Sequence, residues 1–296
     1  MAAFTFVTSA KGGGLVPVEY ANQIICLAAE NSAALSMGTR FNMGSSQEVV
    51  PVTSVLPTAS FAGAGTAIGV TVPEWTGKYL VAAKIGAIIG IEKELWEDSS
   101  FDIEADLIPK AAQSIGKVID DAIFLGTNKS SLWTCDDMVT SCTAKAMVVT
   151  ETEDIVTDVN DLMQKVEANN YDVNGFLLIN AHKAALRQAR TADGYPIYQP
   201  MTAGQPANLY GERLQFSKNG SLGATCKGVV GDWSKLIVGV RNDIRITMSE
   251  DAMLVDGAGT TTSAFQNDLV ALKVTARFAF QIADVAGAYP FAVLAE

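Results

Sequence analysis

Residues suited to acid–base or nucleophilic catalysis are scarce in this chain. His182 is the only histidine, so a serine or cysteine nucleophile that needs an imidazole base would have to lie beside it. It stands at the start of a predicted helix among polar and basic neighbours, which favours a surface or capping role. An enzyme site between residues 150 and 240, using His182, Asp193 and Asp232, is kept as an alternative. No catalytic residue is predicted.

The acidic residues between positions 92 and 106 could be imagined as ligands for a divalent cation. They are Glu92, Glu94, Glu97, Asp98, Asp102, Glu104 and Asp106. Their spacing lacks the ordered oxygen ligands and the central glycine of a calcium loop. A solvated face, with carboxylates that suit the positive end of a helix, accounts for them better. We therefore predict no metal site.

The cysteines and glycines do not indicate a cofactor site either. The cysteines are Cys26, Cys135, Cys142 and Cys226. They show neither a CxxC pair nor metal-ligand spacing, so we expect small buried thiols in a reducing cytosol. A disulfide between Cys135 and Cys142 is the alternative. Gly63, Gly65 and Gly69 do not have the spacing of a dinucleotide-binding loop, and no cofactor is predicted.

The charge and the hydrophobic fraction of the chain limit the kinds of partner that it can bind. The 296 residues carry a net charge of −11 without any basic run, which argues against direct nucleic-acid binding because phosphate contacts need clustered Lys and Arg. Hydrophobic residues make up 49% of the chain, yet no segment has the ~20 uninterrupted apolar residues of a membrane span. So apolar a chain indicates surfaces reserved for other subunits, or else a large core.

Residues 49–73 form a long segment without a single Lys, Arg, Asp, Glu or His. The segment is rich in Val, Thr, Ala and Gly and is punctuated by Pro51, Pro57 and Pro73, so it predicts two strands joined by a turn. An isolated hairpin is barely stable in water, and an uncharged one exposes an edge that invites pairing. The hairpin is therefore either buried in its own domain or laid against another copy of the chain. The second arrangement is favoured.

The longest helix signal follows this segment. Apolar residues recur at helical spacing between residues 103 and 123, which predicts one long helix with a buried stripe. Ser99 and Asp102 fit a helix-start motif, and Gly126 is a suitable stop. Pro109 lies inside the pattern and should kink or divide the helix, because proline removes a backbone donor and crowds the preceding turn.

The remaining pattern indicates an α+β protein. Residues 1–46 read as an extended arm with one short helix over 16–25. After the long helix, helices and strands alternate to about residue 231, and strands dominate from residue 241. The predicted helices span 152–169 and 181–190, and the predicted strands include 75–91, 176–180, 244–248, 269–280 and 289–294, with others near Val229 and Ile237 and a loop over 191–209.

Several segments taken together resemble the major capsid proteins of tailed bacteriophages, whose fold is shared with encapsulin shells and the floor domains of herpesvirus capsids. Each segment is degenerate alone, but their order and spacing match over nearly the whole chain. The acidic stretch and long helix resemble the start and end of the family's spine helix. The matching segments are residues 92–99, 120–126, 177–180, 193–196, 231–234, 241–246, 269–280 and 289–292.

This resemblance implies an α+β capsid fold in which a hairpin and an arm contact neighbouring subunits. The implied segments are an N-terminal arm (1–46), an extended hairpin loop with flanking strands (47–88), a peripheral lobe with the spine helix (89–149), an axial α/β lobe (150–236), and returning peripheral strands with the C-terminal strand (237–296). The expected hairpin contacts are Val55, Leu56, Phe61, Ile68, Val70 and Trp75, and the expected arm contacts are Phe4, Phe6 and Leu15.

The resemblance also implies a function. Copies would form hexamers and pentamers that close into an icosahedral shell around a double-stranded DNA genome, without sequence-specific DNA binding, membrane contact or enzymatic activity. An encapsulin-type shell around a cargo enzyme is the alternative. Further expectations are a place in the virion after assembly in the host cytoplasm, a portal, optionally a decoration protein, and either a separate scaffolding protein or a chain already in its mature form. No lysine lies between Lys11 and Lys78, so a lysine–asparagine cross-link from the loop is not expected.

Overall fold

The computed structural model describes most of the chain after residue 27. The described residues are 28, 31–55, 57–62, 67, 69–72, 74–98, 103–152, 154–190, 198–199, 207–223, 225–255, 261–284 and 288–296. Outside them lie the helix predicted over 16–25, the segment 193–196, and Phe4, Phe6, Leu15, Cys26, Leu56, Gly63, Gly65, Ile68, Pro73, Ser99 and Asp102.

Helices and strands are mixed along the whole described chain. The helices are α1 (Ala33–Met37), α2 (Lys93–Asp98), α3 (Ile103–Asp120), α4 (Met138–Ala144), α5 (Ile155–Glu167) and α6 (His182–Gln188). A π-helical turn (Asp121–Leu125) continues α3, and a 3-10 turn (Trp233–Lys235) precedes β11. The strands are β1 (Thr39–Met43), β2 (Gln47–Val55), β3 (Glu74–Val81), β4 (Ala83–Glu92), β5 (Val148–Thr150), β6 (Gly175–Ile179), β7 (Tyr198–Gln199), β8 (Asn208–Leu209), β9 (Glu212–Ser217), β10 (Gly228–Gly231), β11 (Leu236–Ser249), β12 (Met253–Val255), β13 (Thr261–Ser263), β14 (Leu269–Ile282) and β15 (Phe291–Ala295).

A four-stranded sheet in the order β1-β11-β14-β4 forms one half of the molecule. Its two long strands, β11 and β14, run antiparallel, with a register shift between Arg241 and Arg245. Along β14, Val274, Ala276 and Phe278 are buried, and the residues between them lie on the opposite face. This period of two is typical of a sheet with one covered and one open face.

A mixed seven-stranded sheet forms the other half, in the order β5-β15-β10-β6-β9-β8-β7. Helix α5 packs along β5, β10 and β15. The ring of Trp233, which precedes β11, packs between the long helix and the seven-stranded sheet, because its centroid lies 6.2 Å from that of Phe124 in the π-helical turn and 5.4 Å from that of Phe291 in β15. Such edge-to-face contacts add directional attraction to the buried apolar area.

The predicted long helix is present and ends where expected. Helix α3 and the π-helical turn run from residue 103 to residue 125, and Gly126 follows with a φ of 68°. A Cβ at Gly126 would lie 2.6 Å from Oδ1 of Asp137, so both the backbone conformation and the space favour glycine. A kink or a division was expected at Pro109; the division is wrong, because α3 passes through that residue, and the kink stays a prediction. Proline removes only one backbone donor there, while buried neighbours such as Ala111 and Ala112 hold the helix in the core.

Most other elements lie within a few residues of their predicted positions. The predicted helices over 152–169 and 181–190 are α5 and α6, and the strands predicted over 269–280 and 289–294 are β14 and β15. The single strand predicted over 75–91 is instead two, β3 and β4, separated at Ala82. The predicted loop over 191–209 contains the short strands β7 and β8 in its described part.

The predicted N-terminal arm extends too far along the chain. Helix α1 packs on α3, and β1 pairs in parallel with β11, with Thr39 opposite Ile237. Ala33, Ala34 and Leu35 are buried in the core of their own subunit. Residues 31–43 therefore belong to the subunit body, and the arm boundary predicted at residue 46 is wrong for this stretch.

The carboxylate of Asp120 explains why residues 31–43 are part of the subunit body. It accepts hydrogen bonds from the Ser32 hydroxyl at 2.6 Å, the backbone N–H groups of Ala33 and Ala34 at 2.9 and 3.1 Å, and the Asn219 side-chain amide at 2.7 Å. Burial raises the pKa of Asp120, against the four hydrogen bonds, which favour the charged form. One buried residue thus holds the start of α1, the end of α3 and the segment after β9 together.

Candidate assembly interface

The uncharged segment, residues 49–73, begins inside the first strand of a hairpin and ends just before the second. Strand β2 pairs antiparallel with β3, with Val49 opposite Tyr79 and Thr53 opposite Trp75. Of the two strands predicted within 49–73, the first is present as residues 49–55 of β2, but the second is wrong, because the described residues among 57–72 form no strand and β3 begins only at Glu74. Pro57 has no N–H for a ladder, and the Ala and Gly residues that follow supply few side chains for cross-strand contacts.

One face of this hairpin packs on the subunit and the other is open. Leu80 is fully buried and clusters with Met43 and Ala279. On the opposite face, Trp75 and Tyr79 are 66% and 54% exposed. One face of the hairpin therefore packs on the four-stranded sheet of the same subunit, and the other face exposes apolar side chains to solvent.

The loop of the hairpin carries the most exposed apolar side chains. Phe61 is 110% exposed, Val70 93% and Val72 73%. We define the hairpin patch as Val49, Phe61, Val70, Val72, Trp75 and Tyr79. Of the predicted contacts, Phe61, Val70 and Trp75 lie in this patch, and Val55 ends β2. Apolar side chains gathered on an exposed projection are typical of a surface that binds another protein.

A second apolar projection was not predicted from the sequence. Strands β12 and β13 pair as a short hairpin after β11. Here Met253, Val255 and Phe265 are 71%, 67% and 74% exposed. We call these three residues the tip patch. Their strands are only three residues long, too short for a periodic pattern to be recognised, so no sequence signal separated them from an ordinary loop.

Comparisons with known proteins identify the family of the chain that carries these two projections. The sequence pattern of the phage capsid family matches residues 12–292. The chain belongs to the phage capsid family. A solved structure from Microbacterium phage Oxtober96 is 29% identical, with a TM-score of 0.74 over 90% of this chain and 91% of that one. One from Mycobacterium phage Adephagia is 23% identical, with a TM-score of 0.76 over 98% of both chains.

A curated relative supports the same assignment. The major capsid protein of Staphylococcus phage 80alpha is 24% identical over 291 residues, which are 93% of this chain and 83% of that protein. The resemblance to tailed-phage capsid proteins predicted from the sequence is therefore confirmed, and so is the mixed α+β capsid fold.

His182 does not have the surface or capping role predicted for it. Its side chain is buried, and Ala181, not His182, precedes the first turn of α6 without a side-chain cap. Nε2 lies 3.4 Å from Oε1 of Glu151, which also forms an ion pair with Lys227. Burial lowers the pKa of His182, and the nearby Glu151 carboxylate opposes that shift only in part. In this capsid fold His182 is a packed residue beside an ion pair.

Three of the four cysteines lie in the described part of the chain. Cys135, Cys142 and Cys226 are free thiols, so the alternative disulfide between Cys135 and Cys142 is not formed. Burial raises the pKa of Cys226 to about 12, which keeps it a weakly reactive thiol. Among the described residues, no group of three His, Cys, Asp or Glu side chains could hold a metal ion. No helix in the described ranges is long and apolar enough to cross a membrane.

Asp284 fixes the base of the hairpin. Its carboxylate pairs with Lys78 of β3 and, at 2.8 Å, with Lys145 after α4. Lys78 also donates to the carbonyl of Ile282 at 3.2 Å. Burial alone would raise the pKa of Asp284, but the hydrogen bonds and charges of Lys145 and Lys78 outweigh it and hold that pKa below its usual value. This ion-pair network ties the hairpin to the end of β14.

We expect Asp284→Asn to loosen the hairpin base and to destabilise the subunit at neutral pH by about 1.5–3 kcal/mol, a typical value for hydrogen bonds to a charged group. Because the pKa of the native Asp284 is depressed, its contribution is present above about pH 4 and is lost as pH falls through the folded pKa. Urea unfolding of unassembled subunits at pH 7 and near pH 3 measures this.

Asp136→Asn is the matched control, because Asp136 is an exposed carboxylate 3.7 Å from Lys129. An exposed ion pair of this kind contributes little. An Asp284→Asn effect that is equal at both pH values, or no larger than that of Asp136→Asn, would contradict the role given to Asp284.

Proposed function

We propose that this chain is the major capsid protein of a tailed phage. Many copies form hexamers and pentamers, which close into an icosahedral shell around a double-stranded DNA genome. Membership of the phage capsid family over residues 12–292 and the likeness to a major capsid protein support this assignment. The protein acts as a structural component of the virion and not as an enzyme.

The observation that carries the proposal is the uncovered hairpin patch. A patch this apolar is costly in water and is stabilised when a second protein covers it, by roughly 25 cal/mol for each Å² of apolar area. In a shell of identical subunits, that cover is a neighbouring copy. The proposed hairpin contacts with the neighbour are Val55, Leu56, Phe61, Ile68, Val70 and Trp75, and the proposed arm contacts are Phe4, Phe6 and Leu15.

The predicted segments take their roles from this assembly. Residues 47–88 would form the extended loop, and the arm before residue 31 would reach another subunit. Residues 89–149 with 237–296 would form the peripheral lobe around α3, and residues 150–236 the axial lobe around the capsomer centre. A scaffolding protein, a portal and a decoration protein are the proposed partners, with assembly in the host cytoplasm. The net charge of −11 suits an inner wall that does not hold DNA tightly.

Electron microscopy of particles made in cells that express the chain with its phage head proteins tests the proposal. We expect closed shells of uniform size, and nuclease-protected DNA in particles from infected cells. Subunits that never form shells under these conditions would contradict the proposal. Shells that contain a co-purifying enzyme and no DNA would instead identify a nanocompartment.

A further inference from the structure

The open face of the four-stranded sheet carries a cluster of positive charge. Its basic side chains, together with two threonines, line a concavity of about 270 Å³ on β4, β11 and β14. We define this as the basic face, formed by Lys84, Arg245, Thr247, Lys273, Thr275 and Arg277. The chain has only 21 Lys and Arg against 32 Asp and Glu, so four cations around one concavity is a marked local excess.

The arrangement of these charges is unfavourable within one subunit. Lys84 lies directly opposite Arg277 in the pairing of β4 with β14, and like charges at directly opposed positions destabilise a sheet. Lys84, Arg245 and Lys273 are exposed. In the part of the chain that the structure describes, none of these three forms an ion pair with a carboxylate. An anionic partner from outside the subunit would offset the charge of these three side chains.

The complementary charge stands at the other end of the same sheet. Strand β4 ends at Glu92, and α2 follows with Glu94 and Asp98, all three exposed. We call these three residues the acidic end. Within the described ranges they form no ion pair, since Lys93 beside them is paired with Glu250 at 3.0 Å. In the described part of the chain, three cations without a paired carboxylate (Lys84, Arg245 and Lys273) therefore lie on the same sheet whose strand β4 leads into the acidic end.

The two sites are separated along the sheet. Lys84 and Glu92 are eight residues apart on β4, about 26 Å at 3.3 Å for each residue, and Lys273 lies opposite Ile88, four residues or about 13 Å from Glu92. Both separations exceed the Debye length of about 8 Å at physiological salt, so screening weakens the attraction between these exposed charges within a subunit. Two copies in contact do not have this limit.

An apolar residue accompanies each charged site. Ile88 is 60% exposed on the same face of β4 as Lys84 and lies opposite Lys273, and Leu95 is 56% exposed on α2. Apolar side chains surrounded by charge are the usual arrangement of a protein–protein contact. A nucleic acid would use the cations but not the exposed Ile88 and Leu95, and the acidic end would repel its phosphates.

We propose that the basic face of one subunit binds the acidic end of a neighbouring copy, so that the four-stranded sheets of adjacent subunits are joined head to tail by charge. This contact rests on the proposed shell function and is separate from the hairpin patch. It gives the assembly a direction, because complementary charges fix which ends meet and repel the wrong register.

A charge-reversal series tests this contact in cells that express the chain with its phage head proteins. We expect the double variant Lys84→Glu/Lys273→Glu to lower the yield of closed shells by about tenfold or more, because like charges then meet at every repeated contact. Adding Glu94→Lys/Asp98→Lys restores complementarity at the wild-type net charge of −11, and should restore the yield. The matched control is Lys218→Glu/Lys235→Glu, two lysines outside the basic face, with the wild-type yield expected.

The outcomes separate this contact from the proposed function. Wild-type protein that forms no shells contradicts the proposed function itself. Wild-type shells with an undiminished yield from the Lys84→Glu/Lys273→Glu variant, or no recovery in the fourfold variant, overturn the contact and leave the function standing. Binding of a labelled DNA duplex that only the wild type shows, with equal shell yields, overturns it in favour of a nucleic-acid site. Urea unfolding midpoints within error of the wild type exclude misfolding as the cause of any loss.

Discussion

Phe61→Asp should give a folded, soluble subunit that forms no closed shells. Phe61 is 110% exposed in the isolated subunit, so removing its ring takes no contact away from the monomer. In an assembly, burying a phenylalanine contributes about 1.5–3 kcal/mol. A carboxylate placed in the same contact must also be desolvated without a partner. Because the change recurs in every copy, a modest loss at each contact is multiplied over the shell.

Sedimentation velocity and negative-stain microscopy measure this effect directly. Leu132→Asp is the matched control, since Leu132 is 55% exposed but lies in neither the hairpin patch nor the tip patch. We expect Leu132→Asp shells at the wild-type yield. Normal particles from Phe61→Asp would show that the hairpin loop is not covered by a neighbour. Equal loss in both variants would indicate a general effect of added negative charge.

The hairpin shows what composition can predict and where it stops. The absence of charge over residues 49–73 predicted an uncovered apolar projection, and the exposed Phe61, Val70 and Trp75 agree with it. The strand limits were wrong because pairing depends on the register between distant residues. Tyr79 pairs with Val49, and nothing in the local pattern near residue 60 signals that partner.

The long helix and the buried strands could be predicted because their sequence patterns are local. A helical stripe over residues 103–123 and the short apolar strand β6 are local patterns, so each can be read without knowing its neighbours. The tip patch could not be read this way. Met253 and Phe265 are exposed because of where β12 and β13 project from the sheet, which is a property of the fold and not of a window of sequence.

The locations of His182 and of residues 31–43 also depend on contacts between residues that are far apart in the sequence, which local patterns do not reveal. His182 was expected at the surface, but it is buried beside the ion pair of Glu151 and Lys227. Residues 31–43 were expected in an arm, because the whole segment 1–46 has few apolar anchors. Their place in the core depends on Asp120, a residue about 87 positions away along the chain, and polar contacts over such separations leave no periodic trace.

Asp120→Ala is expected to destabilise the unassembled subunit by about 3 kcal/mol or more. In the native subunit, Ser32, Ala33, Ala34 and Asn219 donate hydrogen bonds to the Asp120 carboxylate at 2.6–3.1 Å. The substitution leaves these donors without that acceptor. A buried donor without a partner costs about 1–3 kcal/mol, and partial relaxation keeps the total below the sum. The start of α1 loses the negative charge at its N-terminus as well.

Chemical denaturation of the subunit, with the midpoint and slope compared between variants, measures this loss. Asp121→Ala is the control, because it removes the same group one residue later, where the side chain is only half-buried, and surface-type changes of this kind usually stay near 0.5 kcal/mol. Amide exchange adds a second readout: only Asp120→Ala should expose the N–H groups of Ala33 and Ala34. Equal midpoints for the two variants would mean that α1 is held by apolar packing alone, and that Asp120 does not join the N-terminal segment to the spine helix.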